Sequence, residues 1–313
     1  MKTGIVFPGQ GSQYVGMGAA LIREYSVARE TFAEADERLG FGLTKLCLEG
    51  PEDELRLTYY TQPALLTASI AFYRVLGQRV PLTPIVAAGH SLGEYSALVA
   101  AGALSFGDAV YLVHRRGQLM DEAVPAGQGA MAAVLGLDEE PLALVCKEVM
   151  DATGEIVELA NLNCPGQIAI SGTVAGVAQA SDLAKQRGAK RAIPLTVSGP
   201  FHCSLMRPAA EAFGALLDET TIADAKIPVV ANVDAKLNQD AAAIRDALKR
   251  QLYSPVRWTD DVLTMQRMGV ERILELGPGT VLSGLIRKID RGIPTAHVED
   301  ETTLAEVVEL LSN

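Results

Sequence analysis

The sequence predicts an α/β protein: a mostly parallel sheet covered by helices, interrupted by a smaller unit of βαββαβ order. Three observations carry this. Short apolar runs bounded by Pro and Gly alternate with longer helical stretches in both outer segments of the chain. The texture breaks at Pro125-Ala126-Gly127-Gln128-Gly129, and a strand, helix, strand, strand, helix, strand series follows. Aromatic residues make up only 5% of the chain, which suits helices lying close against a sheet.

In order, residues 5–7 read as a short buried strand and 15–39 as mostly helix. Residues 62–77 read as a helix with Pro63 near its start, where proline is tolerated. Residues 85–88, apolar between Pro84 and Gly89, predict a buried strand, followed by helices over 94–103 and 106–124. Past the break come strands at 130–137, 156–161, 167–171 and 191–196, with helices at 139–153 and 174–187. This is the ferredoxin-like order. Strands are then expected at 228–232, 272–276 and 295–298, with helices starting near Leu205, Ala241, Trp258, Thr280 and Leu304. The expected division is a large domain from 1–126 and 197–313, with 127–196 as an inserted small domain.

Composition narrows the function. A formal net charge of −11 over 313 residues argues against nucleic acid and anionic membrane as partners. The uncharged apolar stretch at residues 95–107 is too short to span a bilayer, and residues 5–7 are no signal-peptide core. Cys47, Cys146, Cys164 and Cys203 form no C-x-x-C pair, so no metal ribbon or redox motif is expected. Scattered thiols fit a reducing, cytoplasmic setting.

The glycine-rich opening GIVFPGQGSQYVGMG invites a nucleotide reading, which fails. Gly11 and Gly16 have P-loop spacing, but Met17-Gly18 replaces the Lys-Ser/Thr pair. Gly9 and Gly11 begin a dinucleotide fingerprint, but Tyr14 stands where the third glycine belongs. What remains is a tight turn after a strand. Gln10 and Gln13 lie there, at the end of the sheet where ligands of parallel α/β proteins bind.

Gly89-His90-Ser91-Leu92-Gly93 is G-x-S-x-G between an expected strand and an expected helix. Such a turn lifts a serine hydroxyl onto the sheet end and points the Leu92 N–H at the reaction centre. The serine needs a base. Among the four histidines, His90 adjoins the nucleophile and should diverge from it. His114 lies in a charged helical stretch, and His297 in a late apolar strand suits the core. His202, in Ser198-Gly199-Pro200-Phe201-His202, follows the return from the insertion and is best placed. No acid for a triad stands out; a carbonyl can orient the imidazole instead.

GQGSQ, GHSLGEY at 89–95, Arg116-Gly117-x-x-Met120, GPFH at 199–202, Gln251-Leu252-Tyr253 and Glu275-x-Gly277-Pro278-Gly279 occur in that order. Together they resemble the malonyl-CoA:acyl carrier protein transacylases of type II fatty acid synthesis, a family shared with polyketide acyltransferases. The resemblance covers essentially the whole chain. It implies a hydrolase-like core with a ferredoxin-like insertion, and ping-pong malonyl transfer to the phosphopantetheine thiol of acyl carrier protein, with no cofactor and no metal. It assigns Ser91 as the acylated nucleophile and His202 as its base, with Gln10 and the Leu92 N–H as the oxyanion hole. Arg116 grips the malonyl carboxylate, a choice over Arg115 that spacing alone does not make. The main-chain carbonyl of Gln251 holds the imidazole, Asn161 lines the cleft, and Phe201 crowds an α-methyl group. Cys203 departs from an expected serine. For an acidic carrier the candidate docking groups are Lys185, Arg187, Lys190 and Arg191, and Arg287, Lys288 and Arg291. The alternatives are a discrete acyltransferase of a polyketide or malonate decarboxylase system and, further off, a serine thioesterase.

Overall fold

The computed structural model describes residues 1–312. Its larger sheet holds six strands in the order β10-β9-β1-β2-β7-β8. These are β1 (Thr3–Phe7), β2 (Val86–Gly89), β7 (Val229–Val230), β8 (Leu237–Asn238), β9 (Arg272–Leu276) and β10 (Thr295–Val298). All neighbours are parallel except β7 and β8. β1 lies centrally and is buried along its length, as an apolar strand covered on both faces must be. Phe7 pairs with Gly89, so β1 and β2 end side by side and their following loops emerge together.

The second sheet is antiparallel, in the order β4-β5-β3-β6. It comprises β3 (Gly129–Leu135), β4 (Val157–Cys164), β5 (Gln167–Thr173) and β6 (Arg191–Pro194). Helices α8 (Glu139–Thr153) and α9 (Val174–Gln186) complete the βαββαβ unit. It has its own core, including Val134, Leu142, Val145, Ile170 and Val177. Main-chain bonds tie it to the rest of the chain: Leu162 N–H donates to the Val256 carbonyl, and Val256 N–H to that of Ala160, both at 2.8 Å.

The helices depart from expectation in places. The stretch expected as one helix over 15–39 is α1 (Ala19–Glu24) and α2 (Ser26–Leu39), parted at Tyr25, whose extended backbone (φ −120°, ψ 126°) ends one and begins the other. Two short helices not expected follow, α3 (Leu43–Glu49) and α4 (Glu52–Leu55). Helix α5 runs Thr58–Arg79, starting before the expected residue 62 and carrying Pro63 inside it. Pro63 has no N–H for the Tyr59 carbonyl, one turn back. His114 Nδ1 lies 2.6 Å from that carbonyl and serves it instead. α6 (Gly93–Ala100) and α7 (Phe106–Glu122) follow. The remainder are α10 (Arg207–Glu219), α11 (Ala241–Gln251), α12 (Trp258–Arg267), α13 (Val281–Ile289) and α14 (Glu301–Ser312). His297, expected in the core, is half-exposed near Glu299, because β10 is an edge strand. Among the described residues, no helix is long and apolar enough to cross a membrane.

Candidate active site

Ser91 sits on the turn from β2 into α6 with φ +52°, a left-handed backbone that costs a residue with a Cβ on the order of 1–3 kcal/mol. The flanking glycines make the turn possible. A Cβ on Gly89 would overlap the Gly93 carbonyl, and one on Gly93 would overlap the Phe7 carbonyl. Gly9 presses on the same turn from the neighbouring loop, where a Cβ would meet the His90 carbonyl. The glycine-rich opening is therefore built for close approach to the serine turn. It brings Gln10 to the cleft that Ser91, Leu92 and His202 also line. Among the described residues, neither the Gln10 N–H nor the Leu92 N–H donates to a protein acceptor.

His202 also has a left-handed backbone, φ +59°, and is 3% exposed. Its Nε2 lies 2.7 Å from Ser91 Oγ, and its Nδ1 lies 3.0 Å from the Gln251 carbonyl. A carbonyl only accepts, so Nδ1 carries the proton and the Nε2 lone pair faces the serine hydroxyl. Burial, and then the Arg116 charge, push the imidazole down to about 3, so it stays neutral.

Arg116, on α7, is 1% exposed. Its Nη2 donates to Ser91 Oγ at 3.1 Å and to Gln251 Oε1 at 2.9 Å, and its Nη1 donates to Gln62 Oε1 at 2.8 Å. The guanidinium lies over the Tyr95 ring at 5.5 Å. Its Nε has no protein partner. Arg116 reaches the site because α7 lies directly on α5 at Gly117, where a Cβ would crowd the Thr58–Tyr59 backbone. Arg115, its neighbour, instead pairs with Gln118.

The arrangement is a serine hydroxyl between a neutral imidazole and a buried guanidinium, beside two unengaged N–H groups. The model for the acyl transferase domain matches residues 5–306. The chain belongs to the acyl transferase family. It is 53% identical over 310 residues to the malonyl CoA-acyl carrier protein transacylase of Bacillus subtilis (strain 168), covering 99% of this chain and 97% of that one. It is 50% identical over 305 residues to the protein of the same name from Escherichia coli (strain K12), covering 97% and 98%. Among solved structures, an acyl carrier protein S-malonyltransferase from Vibrio cholerae superposes with TM-score 0.95 at 50% identity, covering 98% of this chain and all of that one. A malonyl-transacylase in complex with a holo acyl-carrier protein of a type II polyketide system superposes with TM-score 0.96 at 49% identity, covering 99% and 100%.

In this acyltransferase Phe201 is 5% exposed and Asn161 9%, and both line the cleft with Met120, Met131, Leu195 and Val197. His90 turns away from Ser91: its Nε2 lies 2.8 Å from Asn163 Oδ1 and its ring packs on Trp258. The basic candidates lie away from the cleft lining. Lys185 pairs with Asp182 at 2.9 Å and Arg187 with Glu148 at 2.8 Å. Lys190 and Arg191 are exposed at the start of β6. Arg287, Lys288 and Arg291 line one groove beside α13, and Lys288 Nζ donates to Gln167 Oε1 at 3.0 Å. Among the described residues no three His, Cys, Asp or Glu side chains are grouped to hold a metal ion.

The sequence reading missed the polar floor of the site. Gln62, Glu94, Asn232 and Asp261 are each at most 3% exposed. Burial raises Glu94 to about 7 and lifts Asp261 well above the usual carboxylate range. Their one sequence signal was polarity inside apolar surroundings, as with Glu94 in the GHSLGEY helix and Asn232 at the end of an apolar strand.

Proposed function

We propose that this chain transfers the malonyl group of malonyl-CoA to the phosphopantetheine thiol of acyl carrier protein, supplying fatty acid synthesis through a malonyl-Ser91 ester. The relatives' names and the family support that activity. The observation that carries the acyl specificity is Arg116: a buried guanidinium touching the Ser91 hydroxyl, with one N–H unmet. An esterase for neutral acyl groups gains nothing from a buried cation there, whereas a dicarboxylic acyl group supplies its counter-charge.

In this reading His202 Nε2 takes the Ser91 proton as Oγ attacks the thioester carbonyl. The carbonyl oxygen becomes an oxyanion between the Gln10 and Leu92 N–H groups, and losing one such donor costs typically ~10²–10³ in rate. The C–S bond then breaks and the imidazolium protonates the CoA sulfur. The carrier's thiol repeats the steps in reverse order on the Ser91 ester. The Gln251 carbonyl keeps the imidazole in the tautomer each step needs. A malonyl carboxylate on Arg116 cancels part of the field that depresses His202, so the base strengthens when the right acyl group is in place. Phe201 narrows the cleft against an α-methyl branch. These steps draw on the chain's own side chains and the two substrates.

We read residues 127–196 as a small domain inserted in the large one, and the setting as cytoplasmic, where the four free cysteines stay reduced. For the acidic carrier we favour the Arg287–Lys288–Arg291 group, because Lys185 and Arg187 already have carboxylate partners. One experiment tests the central reading. The protein is mixed with malonyl-CoA alone and the adduct located by intact mass and peptide mapping. The expected result is one malonyl group on Ser91, discharged faster by holo carrier protein than by water. A label elsewhere, or faster loss to water, rejects it.

A further inference from the structure

Asn232 lies just beyond β7, is fully buried, and has no part in the steps above. Every hydrogen-bonding position of its carboxamide is used. Oδ1 accepts from the Ser91 N–H at 2.8 Å and from Gln251 Nε2 at 3.2 Å. Nδ2 donates to the Gly89 carbonyl and to Asp261 Oδ2, both at 2.8 Å. The amide orientation is fixed by its partners. Turned over, it would set N–H against the Ser91 N–H, and oxygen against the Gly89 carbonyl and Asp261. Its backbone N–H donates to Glu94 Oε2 at 3.0 Å, and Gln251 Nε2 donates to the same oxygen at 2.7 Å and to the Ser91 carbonyl at 3.0 Å. The residue with the strained backbone is thus gripped on both sides of its α-carbon by carboxamides from distant parts of the chain.

We propose that Asn232 is a positioning residue for acyl transfer, holding the left-handed turn so that the Ser91 hydroxyl and the Leu92 N–H converge on one carbonyl. Asn is suited because it accepts and donates at once. Asp in its place lacks the two donors, and an apolar residue leaves the Ser91 N–H and Gly89 carbonyl buried and unmet. Relaxation of φ at Ser91 swings its Oγ relative to His202 and turns the Leu92 N–H away. Misplacement of about 1 Å at a reacting group costs on the order of 10²-fold in rate. None of the Arg116 bonds goes to Asn232, and Gln251, which holds Arg116, keeps the Ser91 carbonyl and Glu94 Oε2 as acceptors when Asn232 is lost, so malonyl binding is spared.

This rests on Ser91 being the acylated residue, and the test separates the two. Rapid-quench acylation by malonyl-CoA is measured for the parent protein, Asn232→Ala, Asn232→Asp and Ser91→Ala. The expected result for Asn232→Ala is acylation slower by about 10²-fold, with one malonyl group per folded molecule still reached and half-saturation unchanged. Asn232→Asp keeps the shape and one acceptor and is expected to be slowed by at least ~10-fold, which carries the test where the alanine variant does not fold. Full rate per folded molecule in either variant, with only the burst amplitude reduced, would make the role purely structural and overturn the proposal. Uptake of label by Ser91→Ala would instead sink the reading of Ser91 itself.

Discussion

The Arg116 guanidinium donates to the Ser91 hydroxyl across 3.1 Å, which puts a buried positive charge on the Ser91 oxygen. Two carboxamides, Gln62 and Gln251, fix the guanidinium without neutralising it. In the function proposed above, a cation so held ranks acyl groups by charge. Arg116→Ala is expected to lower kcat/KM for malonyl-CoA by on the order of 10²–10³-fold, the worth of a buried charge pair. Acetyl-CoA should lose far less or gain. Steady-state assays with both donors check it, and an unchanged malonyl-to-acetyl ratio removes Arg116 from the role. Arg116→Lys should not restore the ratio, since an ammonium cannot hold Gln62, Gln251 and a carboxylate with one planar fork.

A neutral His202 sets the acid side of the pH profile. With the imidazole held down to about 3, kcat/KM for malonyl-CoA, which reports the unliganded protein, should stay flat from pH 8 to pH 5. A carboxylate on Arg116 removes the second cause of the depression, so the acid limb of kcat should lie at higher pH than that of kcat/KM. Parallel profiles, or a kcat/KM limb near 6.5, would contradict the account.

Stability should respond to pH with opposite signs at two buried groups. His202 binds its proton only near pH 3 when folded but near 6.5 when unfolded. Its contribution is therefore complete above 6.5 and falls by about 2 kcal/mol between pH 6.5 and 5. Glu94, raised to about 7 from 4.5, contributes fully below 4.5 and loses on the order of 3 kcal/mol as pH rises through 7. Denaturant midpoints at pH 5, 6.5 and 8 test both. The advantage of Glu94→Gln over the parent should grow toward pH 8, and that of His202→Gln toward pH 5. A Glu94→Gln curve parallel to the parent would mean that the carboxyl is not held protonated.

What was legible in the sequence was what is local. The serine turn announces itself because two glycines and a serine must sit within five residues for the backbone to pass, and β2 and α6 flank it as expected. The second sheet was legible because its strands are separated by short turns and helices of clear period. The floor of the site was not, because Asn232 meets Ser91 across 141 residues of chain and the Gln251 side chain across 160; of Gln251 only the main-chain carbonyl was implied, and by family resemblance. No spacing rule spans such a gap. The early start of α5 was hidden by Pro63, a helix breaker unless another group serves the carbonyl it abandons. That group, His114, lies 55 residues from Tyr59.

Carrier docking should respond to charge at α13. Arg287→Glu with Lys288→Glu is expected to raise the apparent KM for carrier protein several-fold and to leave that for malonyl-CoA unchanged. The effect should shrink with added salt, as exposed charges are screened within about 10 Å at 0.1 M. Charge reversal at Lys185 and Arg187 should do less, because each is engaged by a carboxylate, Asp182 and Glu148. An equal rise for both substrates would point to a distorted cleft and not to a docking surface.

Gly9 tests whether the glycine-rich opening serves the oxyanion. A Cβ at this position meets the His90 carbonyl, which is backbone and cannot step aside as a flexible side chain would. Gly9→Ala must therefore push the Gln10 loop away from the serine turn and separate the Gln10 N–H from that of Leu92. The expected cost is about 10²-fold in kcat, the usual loss for one oxyanion donor, with KM for malonyl-CoA changed little because Arg116 stands on another element. Gly107→Ala is the control: a Cβ there meets nothing closer than 3.8 Å, so the same substitution on α7 should leave kcat intact. If Gly9→Ala instead raises KM and spares kcat, the loop shapes the cleft and the oxyanion is stabilised by other groups.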